Sequence, residues 1–353
     1  MSKSTQHGAA ADRVNVGIIG AGLVVQSIHI PVLQRLSDTF AVRCVWDVDH
    51  ERSAALAAQL HAAAASSLEQ LLSDESIDAV AICSPAAFHA EHALAAMRAG
   101  KRALLVEKPL CGTLAEVEAV AAMAAETGTA LIMGSMHLYD PAWREATRLR
   151  GERTLVPRSI SSNIVLPPNA RFEQWAFEAS EQKKHATGSA WTAASLMRIA
   201  IMELAIHDLP LVRRLLPEDA VPRVTFARLL EPFGYALTAE AGGVVLDLFC
   251  SINSHWQPTW TLEATGANAQ LQISFTPSFV HAGSGVATWR ERGLTIDKDP
   301  ERDNGYVHEW RHLAHVLKGE EPRPDVHEFR RDYRFAFAVA EQACEFLASG
   351  GVQ

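Results

Sequence analysis

A lysine at the end of an apolar strand is the first candidate for chemistry. Ala103 to Val106 is a short run suited to a buried parallel strand, and it passes directly into Glu107, Lys108 and Pro109. Burying charge without a partner is costly, and proline pushes the residue before it into an extended conformation. Strand C-terminal ends in open α/β sheets carry ligand sites. Two readings stand on these residues alone: an ammonium held stiffly for catalysis, or a strand that surfaces and turns.

A glycine turn upstream is the second candidate. Gly20-Ala21-Gly22-Leu23-Val24-Val25 follows the apolar run Val14 to Gly20 and opens a helix. Free backbone N–H groups at such a helix start receive a dinucleotide pyrophosphate, so Gly20, Gly22, Leu23 and Val24 are the expected contacts. Val25 replaces the third glycine of the fingerprint and should alter helix–strand packing. Asp47 closes the next strand, 25 residues beyond Gly22. A carboxylate there accepts from the adenosine ribose hydroxyls and repels a 2′-phosphate, which favours NAD as cofactor without excluding NADP. A helix-capping role is the alternative for Asp47, and Arg52 would soften the preference if it reached the ribose. Ser84 and Pro85 end the third strand at the cofactor crevice. His89 and His92 are three apart on the next helix. No third ligand of metal type accompanies them, so no metal is expected.

The pattern around these residues supplies their frame. Apolar runs at Val14–Gly20, Phe40–Asp47, Ile77–Pro85, Arg102–Pro109 and Ala130–Ser135 alternate with helical segments. Those segments are Ser27–Leu36 (with a break near Pro31), Arg52–His61, Leu68–Leu72, Ala86–Ala99 and Thr113–Thr127. Thr113 and Glu116 have capping-box spacing. Strands interleaved with helices imply a parallel, doubly wound sheet. After a helix at Pro141–Arg150 the pattern changes. Arg158–Leu166, Val224–Leu230, Tyr235–Ser254 and Thr259–Phe275 read as longer antiparallel strands, with hairpin chemistry in "EAGGVV" and "TGANAQ". One apolar helix, Ala193–Leu216, should cover a face of that sheet, and Arg330–Leu347 is a further amphipathic helix. The expected fold is α/β: a disordered tail over 1–13, a Rossmann domain over 14–141, and an α+β domain with a large, mostly antiparallel sheet over 142–353.

Composition bounds the function. The chain has 353 residues and a formal net charge of −9, which argues against nucleic acid or an anionic membrane as the main partner. No segment reads as a membrane span. The first 13 residues lack the apolar stretch of a signal peptide. Five scattered cysteines, with no C-x-x-C pair, suit reduced thiols in the cytoplasm. Trp175 and Trp191 flank a long polar loop and are candidates to stack on a sugar ring, with loop anchoring the competing role. Lys183, Lys184 and His185 lie in that loop and read as solvated charge.

Taken together, "GIIGAG" at Gly17–Gly22, Asp47, "IDAVAICSPAAFHAEHA" and "EKP" at Glu107–Pro109 resemble the Gfo/Idh/MocA family of oxidoreductases, the glucose-fructose oxidoreductase and inositol dehydrogenase group. The resemblance implies a Rossmann domain that binds NAD(P) and places Ser84, Pro85, His89, Glu107 and Lys108 beside the cofactor. It makes Lys108 a catalytic residue that contacts the reacting hydroxyl, with a Lys–Pro bond that is often cis. It also points to "IMELAIHDLPLVRRLL", where Glu203 and His207 take the acidic and histidine positions of a D-x-x-x-H helix. Spacing of four puts the two on one helix face. Glutamate in place of aspartate is a departure, as is Pro210 where many members carry a second aspartate. His137 and Leu138 stand where an arginine is usual.

The implied reaction is hydride transfer between nicotinamide and a secondary alcohol or ketone of a sugar, an inositol or a nucleotide sugar. His207 would take the hydroxyl proton, Lys108 would donate to the oxygen, and Glu203 would orient substrate or tune His207. Lys108, Glu203, His207, Trp175 and Trp191 are the expected substrate contacts. A homodimer or homotetramer is implied, paired through a sheet face because "VVLDLFCSI" reads as apolar at both parities. Two other readings stay open: a glycosidase of the same family that regenerates bound NAD, and a non-catalytic sugar or nucleotide sensor.

Overall fold

A computed structural model describes residues 13–167, 192–231, 233–252 and 258–350. The expected tail, apart from Arg13, lies outside them, as do Trp175, Trp191 and the Lys183–His185 stretch. The chain divides into two compact units. The first runs to Ser135 and also takes in Tyr306–Arg330; the second comprises Met136–Gly305 and the chain from Arg331 onward.

The first unit is built on six parallel strands: β1 (Val14–Ile19), β2 (Phe40–Trp46), β3 (Ala63–Ala64), β4 (Ala79–Ile82), β5 (Ala103–Glu107) and β6 (Ala130–Gly134). Their order is β3-β2-β1-β4-β5-β6, so the winding reverses between β1 and β4. Every residue of β4, β5 and β6 is buried, which is why these strands read as unbroken apolar runs. Local signals set the helix ends. Asp49 caps His50–Leu60, Ser67 caps Leu68–Ser73, and Thr113 with Glu116 forms a full capping box on Leu114–Thr127.

The helix after the glycine turn is interrupted, but not by its proline. Pro31 sits in the first turn of the α-helical Ile30–Arg35, where its missing N–H costs nothing. The irregularity is a π turn over Val25–His29, closed by Ile30 N–H donating to the Val25 carbonyl. Val25 is fully buried where the fingerprint's third glycine would let the helix approach its strand. The wider turn accommodates that side chain and carries His29 into the core.

Tyr306–Arg330 differs from the sequence reading, which left it in the second domain. Trp310 is fully buried and meets the rings of His29 and Phe40 at 5.9 and 5.2 Å. The Arg102 guanidinium donates to the Leu317 carbonyl. These contacts fold the segment, including most of the Gly305–Lys318 helix, into the first unit.

Eight strands form the sheet of the second unit: β7 (Pro157–Leu166), β8 (Pro222–Leu229), β9 (Gly234–Ala241), β10 (Val244–Ile252), β11 (Thr259–Gly266), β12 (Ala269–Ser274), β13 (Val286–Glu291) and β14 (Leu294–Asp297). The order is β14-β13-β12-β11-β7-β10-β9-β8. All neighbours are antiparallel except β7 and β10, which run parallel. The expected Tyr235–Ser254 strand is a hairpin that turns at Gly242 and Gly243, both in the left-handed region. In β10, Val244, Leu246, Leu248 and Cys250 are buried while Val245 and Asp247 are exposed. On β7 and β11 the second parity includes Ser159, Ser161, Asn163, Thr261, Glu263 and Thr265, each half-buried, with Val165 buried at the end of β7. This second face is therefore largely polar, not apolar as the β10 sequence alone suggested.

The single expected helix Ala193–Leu216 is three pieces: an α-helix over Ala193–Glu203, a 3-10 turn over Ala205–His207, and an α-helix over Leu209–Leu215. Pro210 has no N–H and its ring crowds the carbonyl of Ile206, so a continuous helix cannot run through Ile206–Pro210. His207 and Asp208 instead bond three residues back, to Leu204 and Ala205. Glu203 ends one helix and His207 lies in the tighter turn, so the spacing of four no longer sets them on one helical face.

Candidate active site

At the C-terminal edge of the first unit's sheet, each expected cofactor contact has a definable job. Gly20 has φ +95°, and a Cβ there would fall 2.6 Å from the Cys83 carbonyl carbon and oxygen. Only glycine fits that approach of β1 to β4. Gly22 is the opposite case, because an added Cβ would meet nothing within 4 Å. Its backbone lies open at the start of the helix, as a pyrophosphate-binding turn requires. Leu23 is exposed and Val24 half-buried beside it. Asp47 is buried; one carboxylate oxygen accepts from Ala21 N–H at 2.6 Å and the other from Asp49 N–H at 2.9 Å. It ties the end of β2 to the glycine turn, a local role beyond the one read from sequence. Arg52 pairs with Asp49 at 3.2 Å.

His89 bridges the ends of β4 and β5. Its Nε2 lies 2.6 Å from the Ser84 carbonyl oxygen and its Nδ1 2.9 Å from that of Pro109. Burial lowers its basicity, opposed by the two carbonyls and Glu107. A neutral imidazole has one N–H and donates to one carbonyl at a time. His92 takes a different partner, the Ser84 hydroxyl at 2.9 Å. Pro85 is exposed at the strand end.

The charges that end β5 are not a surfacing turn. Glu107 is buried, its Oε1 accepting from His29 Nε2–H at 2.9 Å and its Oε2 from Lys108 N–H at 3.0 Å. Trp310 Nε1–H donates to His29 Nδ1 at 3.1 Å, which leaves the His29 proton on Nε2. Burial raises the Glu107 acid, but His29 and Lys108 outweigh it and hold the carboxyl below its ordinary range. Glu107 therefore fixes the peptide of Lys108 from beneath, and the Lys108–Pro109 bond is cis. Lys108 itself is half-buried. Glu309 is fully buried, with no hydrogen-bond partner for either oxygen among the described residues. Burial and then the Glu107 charge push its carboxyl well above the ordinary carboxylate range.

The second unit has its own polar centre around Asp208, which is 1% exposed. Asp208 accepts from Ser162 Oγ at 2.6 Å, from His137 Nδ1 at 2.8 Å and from Trp260 Nε1 at 2.8 Å. His137 stacks on Phe275, centroids 3.8 Å apart. His207 is buried beside this group, its ring centre 5.8 Å from that of His137 and 5.3 Å from that of Trp260. Glu203 is half-buried. Sequence reasoning missed Asp208, His29, Trp310 and Glu309. The one available signal was His137, a histidine standing where arginine was expected.

Comparisons with known proteins agree with this geometry. Residues 14–135 match the model of the Gfo/Idh/MocA oxidoreductase family, described as an NAD-binding Rossmann fold. Inositol 2-dehydrogenase 3 of Saccharopolyspora erythraea is 34% identical over 137 residues, covering 38% of this chain and 40% of that protein. The chain thus aligns with well under two thirds of that relative's length. A dTDP-3,4-didehydro-2,6-dideoxy-alpha-D-glucose 3-reductase of Streptomyces antibioticus is 26% identical over 76% of this chain and 78% of its own. Among solved structures, KijD10, a 3-ketoreductase from Actinomadura kijaniata in complex with NADP and TDP-benzene, has the same fold. Its TM-score is 0.71 at 21% identity, over 94% of this chain and 98% of that one. Residues 14–135 thus carry the NAD-binding Rossmann fold of the Gfo/Idh/MocA oxidoreductase family, and the chain as a whole, with its mixed-sheet second unit, is similar to these proteins in fold.

Proposed function

We propose that this protein transfers a hydride between a nicotinamide cofactor and a secondary alcohol or ketone of a sugar, polyol or nucleotide sugar. The observation that carries the reading is Lys108, half-buried at the end of β5 with its peptide held by Glu107. An ammonium fixed there donates a hydrogen bond to an oxygen on which negative charge develops. His207 takes or returns the hydroxyl proton, and Glu203 orients the substrate or His207. Gly20, Gly22, Leu23 and Val24 hold the pyrophosphate, and Asp47 the adenosine ribose, with NAD preferred. Ser84, Pro85, His89 and Glu107 line the cofactor edge. The nicotinamide, when bound, supplies the hydride acceptor or donor. Trp175 and Trp191 remain proposed sugar contacts.

The named relatives are dehydrogenases and reductases, which favours net redox turnover over the NAD-regenerating glycosidase and over a sensor. Screening polyols, sugars and nucleotide sugars for NADH or NADPH formation tests this. Glycoside cleavage without net reduced cofactor would overturn it. We also propose a cytoplasmic homodimer or homotetramer, paired through the second face of the eight-stranded sheet, where Val245 is exposed and Phe249 half-buried. No helix among the described residues is long and apolar enough to cross a membrane.

A further inference from the structure

We propose that His137, held by Asp208, is a positioning and proton-exchange residue for His207. The inference rests on the oxidoreductase reading for its catalytic consequence, but its structural basis is independent of that reading. His137 lies on the short Met136–Tyr139 helix and is 2% exposed. Its Nδ1 is 2.8 Å from an oxygen of Asp208. That carboxylate also accepts from Ser162 and Trp260, so it is an acceptor and the imidazole proton sits on Nδ1. The Nε2 lone pair is then turned away from Asp208, and among the described residues it is buried with no hydrogen-bond partner. A buried acceptor left unused is costly, and one beside a second imidazole invites a role.

The second imidazole is His207, with ring centres 5.8 Å apart. Phe275 stacked on one side and Trp260 set edge-on to both rings leave His137 little freedom to turn. The arrangement is carboxylate, imidazole, imidazole. When a substrate alcohol is oxidised, its O–H bond breaks and the proton goes to His207, while the hydride goes to the oxidised nicotinamide. The proton then leaves His207 through one bridging water and forms an N–H bond at His137 Nε2. Asp208 remains a carboxylate and faces the imidazolium so formed. In the reductive direction the proton runs back. An arginine at this position would always be charged and could not take part in such an exchange.

The titratable groups around His137 are Asp208 on the turn that follows His207, His207 itself, and Asp140 on its own side. Burial raises the Asp140 carboxyl, and His137 opposes that. Tyr235 and Cys250, on β9 and β10, also sense Asp208, and burial keeps both protonated. Neither adds charge near neutral pH.

Two variants separate exchange from mere support. His137→Asn places an amide N–H where Nδ1–H was and keeps the bond to Asp208, but has no ε nitrogen. His137→Phe fills the volume and loses both. We expect His137→Asn to fold with the wild-type melting temperature and an unchanged KM. Its kcat should fall by about tenfold or more, below the ~10²- to 10⁴-fold span for a primary acid–base group. The pH profile of kcat should move with it. Nitrogen NMR of the histidine rings, with no substrate present, should show His137 protonated at Nδ1 and a shifted His207 titration in His137→Asn. An unmoved His207 titration, or wild-type kcat and pH profile in His137→Asn with damage confined to the melting temperature of His137→Phe, would overturn the proposal. Failure of every alcohol substrate would instead refute the oxidoreductase reading, and the ring titrations would still decide the His137–His207 coupling.

Discussion

His29 and Glu107 are joined by a buried 2.9 Å hydrogen bond between residues 78 apart in sequence. The imidazole can donate because Trp310 occupies its other nitrogen. Three side chains from three parts of the chain thus support the backbone of one lysine.

His29→Phe should break this support. In the wild type the folded Glu107 carboxyl titrates below its unfolded value, so its stabilising contribution is present above the ordinary carboxylate range and is lost as pH falls. Without His29 the carboxylate loses its main stabilising partner, and that pH-dependent contribution weakens. The variant should lose roughly 1–3 kcal/mol at neutral pH, the scale for a buried acceptor left unsatisfied. The deficit relative to wild type should shrink as pH falls and the wild-type Glu107 becomes protonated. Urea titrations from pH 4 to pH 8, on the order of one unit apart, would check this, and parallel curves for the two proteins would refute it.

Glu309 should behave in the opposite sense. Its folded carboxyl titrates far above the ordinary value of 4.5, so its stabilising contribution is complete below that pH and fades as pH rises. Glu309→Gln keeps the shape and removes the titration. The variant should match the wild type in acid and become the more stable of the two toward alkaline pH. Equal stability at pH 8 or above, by denaturant midpoint, would mean Glu309 has a partner to its charge.

Loss of Lys108 should affect rate, not cofactor binding. Lys108→Ala leaves the Gly20–Gly22 turn intact, so NAD affinity by fluorescence should change little. Turnover should fall by roughly 10²-fold or more, as for a lost charge-stabilising donor. His207→Ala should cost roughly 10²- to 10⁴-fold. Near-wild-type rates in a well-folded variant would remove that residue from the mechanism.

Asp47 has two jobs that substitution should separate. Asp47→Ala should narrow the preference for NAD over NADP, because the carboxylate no longer repels a 2′-phosphate. It should also cost about 1 kcal/mol or more of stability, since Ala21 N–H loses its acceptor. Asp47→Asn retains an acceptor oxygen and should recover stability more than selectivity. Tighter binding of NADP than NAD by the wild type would contradict the assignment.

Local chemistry was legible in the sequence, and contacts made across it were not. Thr113 and Glu116 announce a capping box because both partners lie within one turn. The Gly242–Gly243 hairpin is equally local. The β13–β14 hairpin went unread because its turn is Arg292-Gly293, and arginine in the left-handed region at φ 45° gives no turn signal. Asp208 draws its bonds from Ser162, His137 and Trp260, on three separate elements. Trp310 meets a histidine 281 positions away. No periodicity encodes such pairings. The break before His207 was written in Pro210, but the apolar pattern around it ran on as if continuous.

The π turn at Val25–His29 carries one residue more than a regular turn would hold. Each residue advances an α-helix by about 100°, so the extra one rotates everything after it relative to everything before. The first turn, with Gly22 and Leu23, keeps one phase and faces outward. The remainder keeps another, which delivers His29 inward to Glu107. A single helix thereby serves two sites with independent angular demands. Removing one residue to restore regular winding would satisfy either site at the expense of the other.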